Sequence, residues 1–172
     1  MILNAVIHGT YHYAENWREM SDLITEVTEN LKSEDPGALG ISPGDLACFM
    51  FASERHTSDT FSWWPDNFLH VAVNASTGYG GLTWNLSAER AAKAQDEMSN
   101  HVWVTDNSTP PDFDPRVVSD PGYPLFYSPS STLPVSQIRA ALEEFYRAGT
   151  GNRPECVSWV RGELNGQRLD GE

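Results

Sequence analysis

The apolar positions change period several times along the chain, and each change marks an element. Residues 1–8 (MILNAVIH) form a short apolar run that predicts a strand. From 15 to 32 (ENWREMSDLITEVTENLK) the period becomes helical. Trp17, Met20, Ile24, Val27 and Leu31 recur at three- and four-residue spacing and make one apolar stripe, while Glu15, Glu19, Asp22, Glu26 and Glu29 cover the rest. Asn16 and Glu19 are spaced to form a capping pair. The turn cluster SEDPGALG then stops the helix.

DLACFMFA (45–52) is almost continuously apolar and predicts a central strand. A polar loop, SERHTSDTFSWWPDN, follows. FLHVAVN (68–74) and LTWNL (82–86) alternate, which predicts two more strands. Between them lies STGYGG. A phosphate-cradling glycine loop must open a helix whose N-terminus meets the anion. Here the spacing fits neither GxGxxG nor GxxxxGK[ST], and the next segment alternates like a strand. STGYGG therefore reads as a hairpin loop, its glycines taking positive φ or forming a bulge, with Tyr79 exposed at the tip.

SAERAAKAQDEMS (87–99) predicts a short polar helix, and HVWVTD (101–106) a strand. The proline- and aspartate-rich stretch NSTPPDFDPRVVSDPGYP is long for a loop inside a compact domain, a length that goes with function or loose order. LFYS (125–128) reads as a further strand. Thr132 is placed to cap a second main helix with Pro134 in its first turn; Val135, Ile138, Leu142 and Phe145 form its buried stripe, and Gly149 ends it. ECVSWV (155–160) closes the fold as a strand, with Trp159, like Phe145, expected to be buried, and GELNGQRLDGE reads as a frayed polar tail over about 163–172. The order predicts an α+β fold: one domain over 1–172, built on a single mainly antiparallel sheet with two main helices packed on one face.

Charge narrows the classes of function. The 172 residues carry a net charge of −13, from 24 acids against 11 bases. A nucleic-acid binder needs the opposite sign to replace phosphate counterions, and an anionic membrane surface would repel the chain. A basic protein partner would be attracted and steered. The N-terminus lacks the features of a signal peptide, and no apolar run is long enough to span a membrane. Cys48 and Cys156 each sit in an apolar run and read as buried thiols of a reduced compartment, with a long-range disulfide between them as the alternative.

Candidate chemistry is sparse. His8, His12, His56, His70 and His101 are scattered, and zinc would need three or four ligands together. Asp112, Asp114 and Asp120 share one loop, but the glycine and closing glutamate of a calcium loop are missing. No nucleophile elbow is present. The reading is that the chain is not an enzyme and needs no cofactor and no metal. Paired carboxylates remain open, because spatial neighbours are invisible in sequence. Trp63 and Trp64 in SWWPDN stand out, since tryptophan is enriched at binding hot spots, although at least one of them is as well suited to capping the core.

The C-terminal third carries a resemblance. STLPVSQIRAALEEFYRAGTGNRPECVSWV resembles the end of the first-numbered immunity-protein family of bacterial polymorphic toxin systems, with Leu133-Pro134, Ile138-Arg139, Glu144-Phe145, Arg153-Pro154 and Val157-x-Trp159 in matching order. LHVAVNASTGYGGLTW resembles its middle section, while 54–66 and 106–122 match nothing in it. The motif residues have structural explanations and mark fold, not contact surface. The resemblance implies a cytoplasmic inhibitor of a cognate protein toxin, often a nucleic-acid (cytosine) deaminase, acting as a monomer in a 1:1 complex that occludes the active site. Such a toxin presents a basic groove around its zinc-bound water, which an acidic partner can fill. The expected toxin-contact residues are Trp63, Trp64, Asp66, Tyr79, Asp112, Asp114 and Asp120. A small carboxylate-dependent enzyme and a generic ligand-binding or adaptor domain stay open beside this reading.

Overall fold

The structure, a computed structural model, describes residues 1–31, 45–59, 63–122 and 125–170. Among these, the chain runs β1 (Ile2–Ile7), β2 (Thr10–Ala14), α1 (Trp17–Asn30), β3 (Ala47–Ala52), β4 (Asn67–Asn74), β5 (Tyr79–Leu86), α2 (Ala88–Ala94), β6 (Val102–Asp106), β7 (Val118–Asp120), β8 (Leu125–Phe126), β9 (Leu133–Pro134), α3 (Val135–Ala148) and β10 (Ser158–Gly162). The fold is α+β, as the periodicities predict. One antiparallel sheet has the order β10-β6-β5-β4-β3-β1-β2, with β9 pairing β5 at its end, and β7 and β8 form a separate small ladder. The turn cluster at 33–40 and Tyr123 lie outside the described residues.

Helices α1 and α3 cover one face. Met20, Ile24 and Val27 of α1 and Ile138, Leu142 and Phe145 of α3 are buried against Leu3, Phe49, Leu69, Leu82 and Trp84 of the sheet. Apolar residues two apart on a strand share a face, and those three or four apart on a helix share a stripe, so the two periods meet in one core. The Asn16 side chain caps α1 by accepting from the Glu19 amide (3.1 Å), and Glu19 reaches back to the Glu15 amide (2.7 Å). The stripe loses one member: Trp17 stands at the first turn, beyond the edge of the sheet, and is 42% exposed.

The other face is covered by the long proline-rich segment, which is packed rather than loose. Val117, Val118 and Tyr127 bury against Ala72 and Val104. Asn74 fixes the segment by donating to the Pro115 carbonyl (2.9 Å), and the Tyr127 hydroxyl shares a hydrogen bond with Thr83 (2.8 Å). This explains the glycines. Only Gly78, with φ +76°, belongs to the β4–β5 turn; Gly80 and Gly81 lie inside β5. A Cβ on Gly80 would sit 2.9 Å from Ile138 of α3, and one on Gly81 would sit 2.7 Å from the Tyr127 ring. The pair lets both covering layers approach the same strand. Gly81→Ala should cost about 1–3 kcal/mol through forced repacking. A urea midpoint equal to that of the wild type would show that the Tyr127 ring yields freely.

Several expectations are corrected. A hairpin, β1–β2, was not anticipated; His8 and Gly9 both take positive φ, the geometry of a tight hairpin turn. Thr132 does not cap α3. Its hydroxyl donates to the Pro129 carbonyl, and Pro134 holds the cap position without a side-chain bond. The helix does end at Gly149, in the left-handed region (φ +63°). The last strand starts later than expected, at Ser158, and Trp159 is half-buried. The tail is not frayed over its described length: Leu169 donates to the Arg161 carbonyl, and Arg168 bonds both Asp106 (2.9 Å) and Asp170 (2.5 Å). Cys156 is exposed rather than buried, while Cys48 is half-buried.

Candidate functional site

The seven expected contact residues fall into two groups at opposite ends of the β4–β5 hairpin. Trp63, Trp64 and Asp66 precede β4, whose Asn67 pairs with Leu86; Tyr79 begins β5 opposite Asn74, with the aspartate loop nearby. Seven residue steps at about 3.4 Å each separate the ends by about 24 Å.

At the first end, two aromatic side chains gather on a histidine. The rings of Trp63 and Trp64 lie 5.0 and 4.4 Å from that of the buried His56. Burial lowers the His56 pKa. Trp63 is half-buried and Trp64 is 64% exposed, so one of the pair serves packing and the other faces outward. Together with Phe51, Ala52 and Pro65 they line a depression of about 250 Å³. Asp66 sits on its rim. Burial alone would raise its pKa, but the Asn67 amide and the Arg90 guanidinium (2.9 Å) donate to it and hold the carboxyl below its ordinary value. Arg90 also donates to the Thr150 carbonyl (2.8 Å) and the Asn152 side chain (2.7 Å), which ties α2 and the loop after α3 to this rim.

The second group is different in kind. Tyr79 is half-buried within β5 instead of exposed at a tip, and its ring meets Phe113 edge-on at 5.7 Å. Phe113 is itself 47% exposed and lies between Asp112 and Asp114. Asp114 accepts from the Arg116 amide (2.9 Å) and Asp120 from the Gly122 amide (3.0 Å), so both shape turns of the covering segment. Asp112 is exposed.

The motif residues hold the fold together. Arg139 bridges α3 to Thr25 of α1 (3.2 Å). Glu144 accepts from the amides of Glu155 (2.7 Å) and Cys156 (2.9 Å), which docks the approach to β10 onto α3. Arg153 stacks over Trp103 (4.4 Å to the ring centre) and Trp159 (5.6 Å), while the Trp159 indole donates to the Pro154 carbonyl (2.8 Å). Leu133, Ile138, Phe145 and Val157 are core.

The sequence reading missed Trp17 as a surface residue. Its ring lies 5.9 Å from that of Tyr146, with the Arg147 guanidinium 4.7 Å above it, and Tyr146 in turn packs at 6.3 Å from Phe51. The periodicity places Trp17 on the stripe; only its place at the first turn of α1 signals that the sheet no longer reaches it.

Among the described residues, no cluster of three or more His, Cys, Asp or Glu could hold a metal ion. Burial of the sulfur pushes the Cys48 thiol up to about 12; burial, followed by the hydrogen bond to Glu144 and the charge of that carboxylate, does the same for Cys156. No helix among the described residues is long and apolar enough to cross a membrane. A search of curated proteins found no match to the chain. The family model for the immunity protein Imm1 matches residues 8–161, from the first hairpin to the last strand, and the chain belongs to that family.

Proposed function

We propose that this protein binds a cognate basic toxin, a nucleic-acid deaminase, and neutralises it in the cytoplasm as a 1:1 complex that covers the active-site entrance. Membership of an immunity family implies a toxin partner. The observation that supports a basic one is the surplus of acid, −13 over 172 residues. An enzyme that draws polynucleotide phosphates to its active site must be electropositive there, and a protein of opposite charge competes for that groove. The role requires a rigid surface, a few anchors and charge, and it uses no catalytic residue and no cofactor of this chain.

Acids and aromatics then have separate tasks. Acids such as Asp112, Asp114 and Asp120 raise the association rate by long-range steering, and desolvated aromatics slow dissociation. The test is an activity assay of the toxin encoded beside this gene, with binding kinetics at low and high salt. The protein should abolish deamination, and association should slow steeply as salt rises. Asp112→Asn/Asp114→Asn should lower the association rate and flatten its salt dependence while leaving dissociation nearly unchanged. A tight complex that retains full deaminase activity would exclude occlusion. Association indifferent to salt would exclude steering.

A further inference from the structure

We infer that the end of the sheet bearing Trp17 and Trp64 is the docking surface that locks the toxin in place, and that its depression receives one large apolar side chain of that toxin. The inference rests on the toxin reading and adds the location and chemistry of the anchor.

The surface is assembled from four separate stretches of chain. β1 and β4 begin at this end, and β2, β3 and β5 finish there, as the pairs Leu3 with Ala14, Ile2 with Ala52 and Asn67 with Leu86 require. Trp17 opens α1 just after β2, and Tyr146 and Arg147 come from the last turn of α3. The aromatic contacts run without a break from Trp17 to Tyr146 to Phe51, the floor of the depression, whose wall is Trp63 and Trp64. Trp64 is 64% exposed and Trp17 is 42% exposed. Two outward-facing tryptophans joined through a common aromatic floor form the pattern of an interface centre.

The size and charge of the site decide what it takes. About 250 Å³ falls below the roughly 300–1,000 Å³ of small-molecule sites and suits a single side chain. Three arginines here are paired: Arg55 with Glu15 (2.7 Å), Arg90 with Asp66 (2.9 Å) and Arg147 with Glu143 (3.4 Å). Asp66, the one carboxylate among the described residues lining the depression, is held by Arg90, and the rest of the lining is mainly apolar, which fits an apolar anchor. The occupant is the toxin and not a second copy, because two chains of charge −13 repel each other whereas a basic protein is drawn in.

The experiment measures dissociation constants for the toxin encoded beside this gene with Trp17→Ala, Trp64→Ala and, at the opposite end, Phe113→Ala. Each variant is first checked by circular dichroism and thermal melting. Trp64→Ala and Trp17→Ala should each weaken binding about thirtyfold or more, through faster dissociation, while Phe113→Ala changes it less than about threefold. Hydroxyl-radical footprinting of the wild-type complex needs no variant: Trp17 and Trp64 should become protected and Phe113 should not. A wild type that inhibits the toxin while both tryptophans stay reactive and replaceable overturns this surface and leaves the toxin reading standing. A wild type that neither binds nor inhibits overturns both. Sedimentation showing a dimer that Trp64→Ala dissociates would assign the surface to a second copy and overturn the toxin as occupant.

Discussion

Phe145→Ala should lower the stability of the fold by about 3–5 kcal/mol, measured by urea denaturation. Phe145 is 1% exposed and packs its ring 5.3 Å from that of Phe51, joining α3 to β3. The neighbouring side chains belong to two helices and a sheet fixed by long-range pairing, so they cannot collapse into the space a phenyl ring leaves. The loss combines transfer energy with a residual cavity, which places it at the upper end of single-residue effects. A change below about 1 kcal/mol would mean that α3 turns a different face to the sheet. Because Phe51 also floors the tryptophan shelf, this variant should loosen toxin binding even where it remains folded.

That core was legible in the sequence because burial and periodicity are the same fact seen twice. Ile138, Leu142 and Phe145 recur at helical spacing because one side of α3 meets the sheet, and Leu69, Val71 and Val73 alternate because one side of β4 does. The failures come where a residue is explained by something far along the chain. Gly80 and Gly81 look like turn residues locally, but what excludes a side chain there is Ile138 on one face and Tyr127 on the other. The C-terminal tail looks frayed until Arg168 is seen between Asp106 and Asp170. The first hairpin escaped notice because its turn places a histidine, not only a glycine, at positive φ.

The geometry of the candidate site was legible in part. Trp63 and Trp64 drew attention by residue type, and the structure puts them on one shelf with Asp66. Their distance from Tyr79 and the aspartate loop could not be read, because it follows from the length of β4 and the order of pairing. Trp17 was hidden for a subtler reason. Helical periodicity reports which side of a helix an apolar residue lies on, but not whether the sheet extends far enough to cover it.

Asn67→Ala should cost about 2–6 kcal/mol and should disturb the tryptophan shelf directly. Asn67 is fully buried at the start of β4, where its side chain replaces a strand. The ladder between β3 and β4 includes the pair Phe49 with Leu69, and two residues further along, the Asn67 amide takes over the pairing. Its oxygen accepts from the Phe51 amide (2.8 Å), and its nitrogen donates to the Phe51 carbonyl (2.8 Å) and to Asp66 (2.8 Å). Gly151 packs so closely on this amide that a Cβ there would fall 2.2 Å from it. Removing the side chain leaves one backbone donor and one backbone acceptor buried without partners, each worth about 1–3 kcal/mol. Asn67→Asp should fail as well, since a carboxylate still accepts from the Phe51 amide but cannot donate to its carbonyl, and it brings a second negative charge beside Asp66. Amide hydrogen exchange at Phe51 checks the local effect, and urea denaturation the global one. Both variants should speed exchange at Phe51, and both should weaken toxin binding through the displaced Trp63–Asp66 segment. A cost below about 1 kcal/mol for Asn67→Ala would show that water takes the place of the amide, and the segment would then be held by the Asp66–Arg90 pair instead.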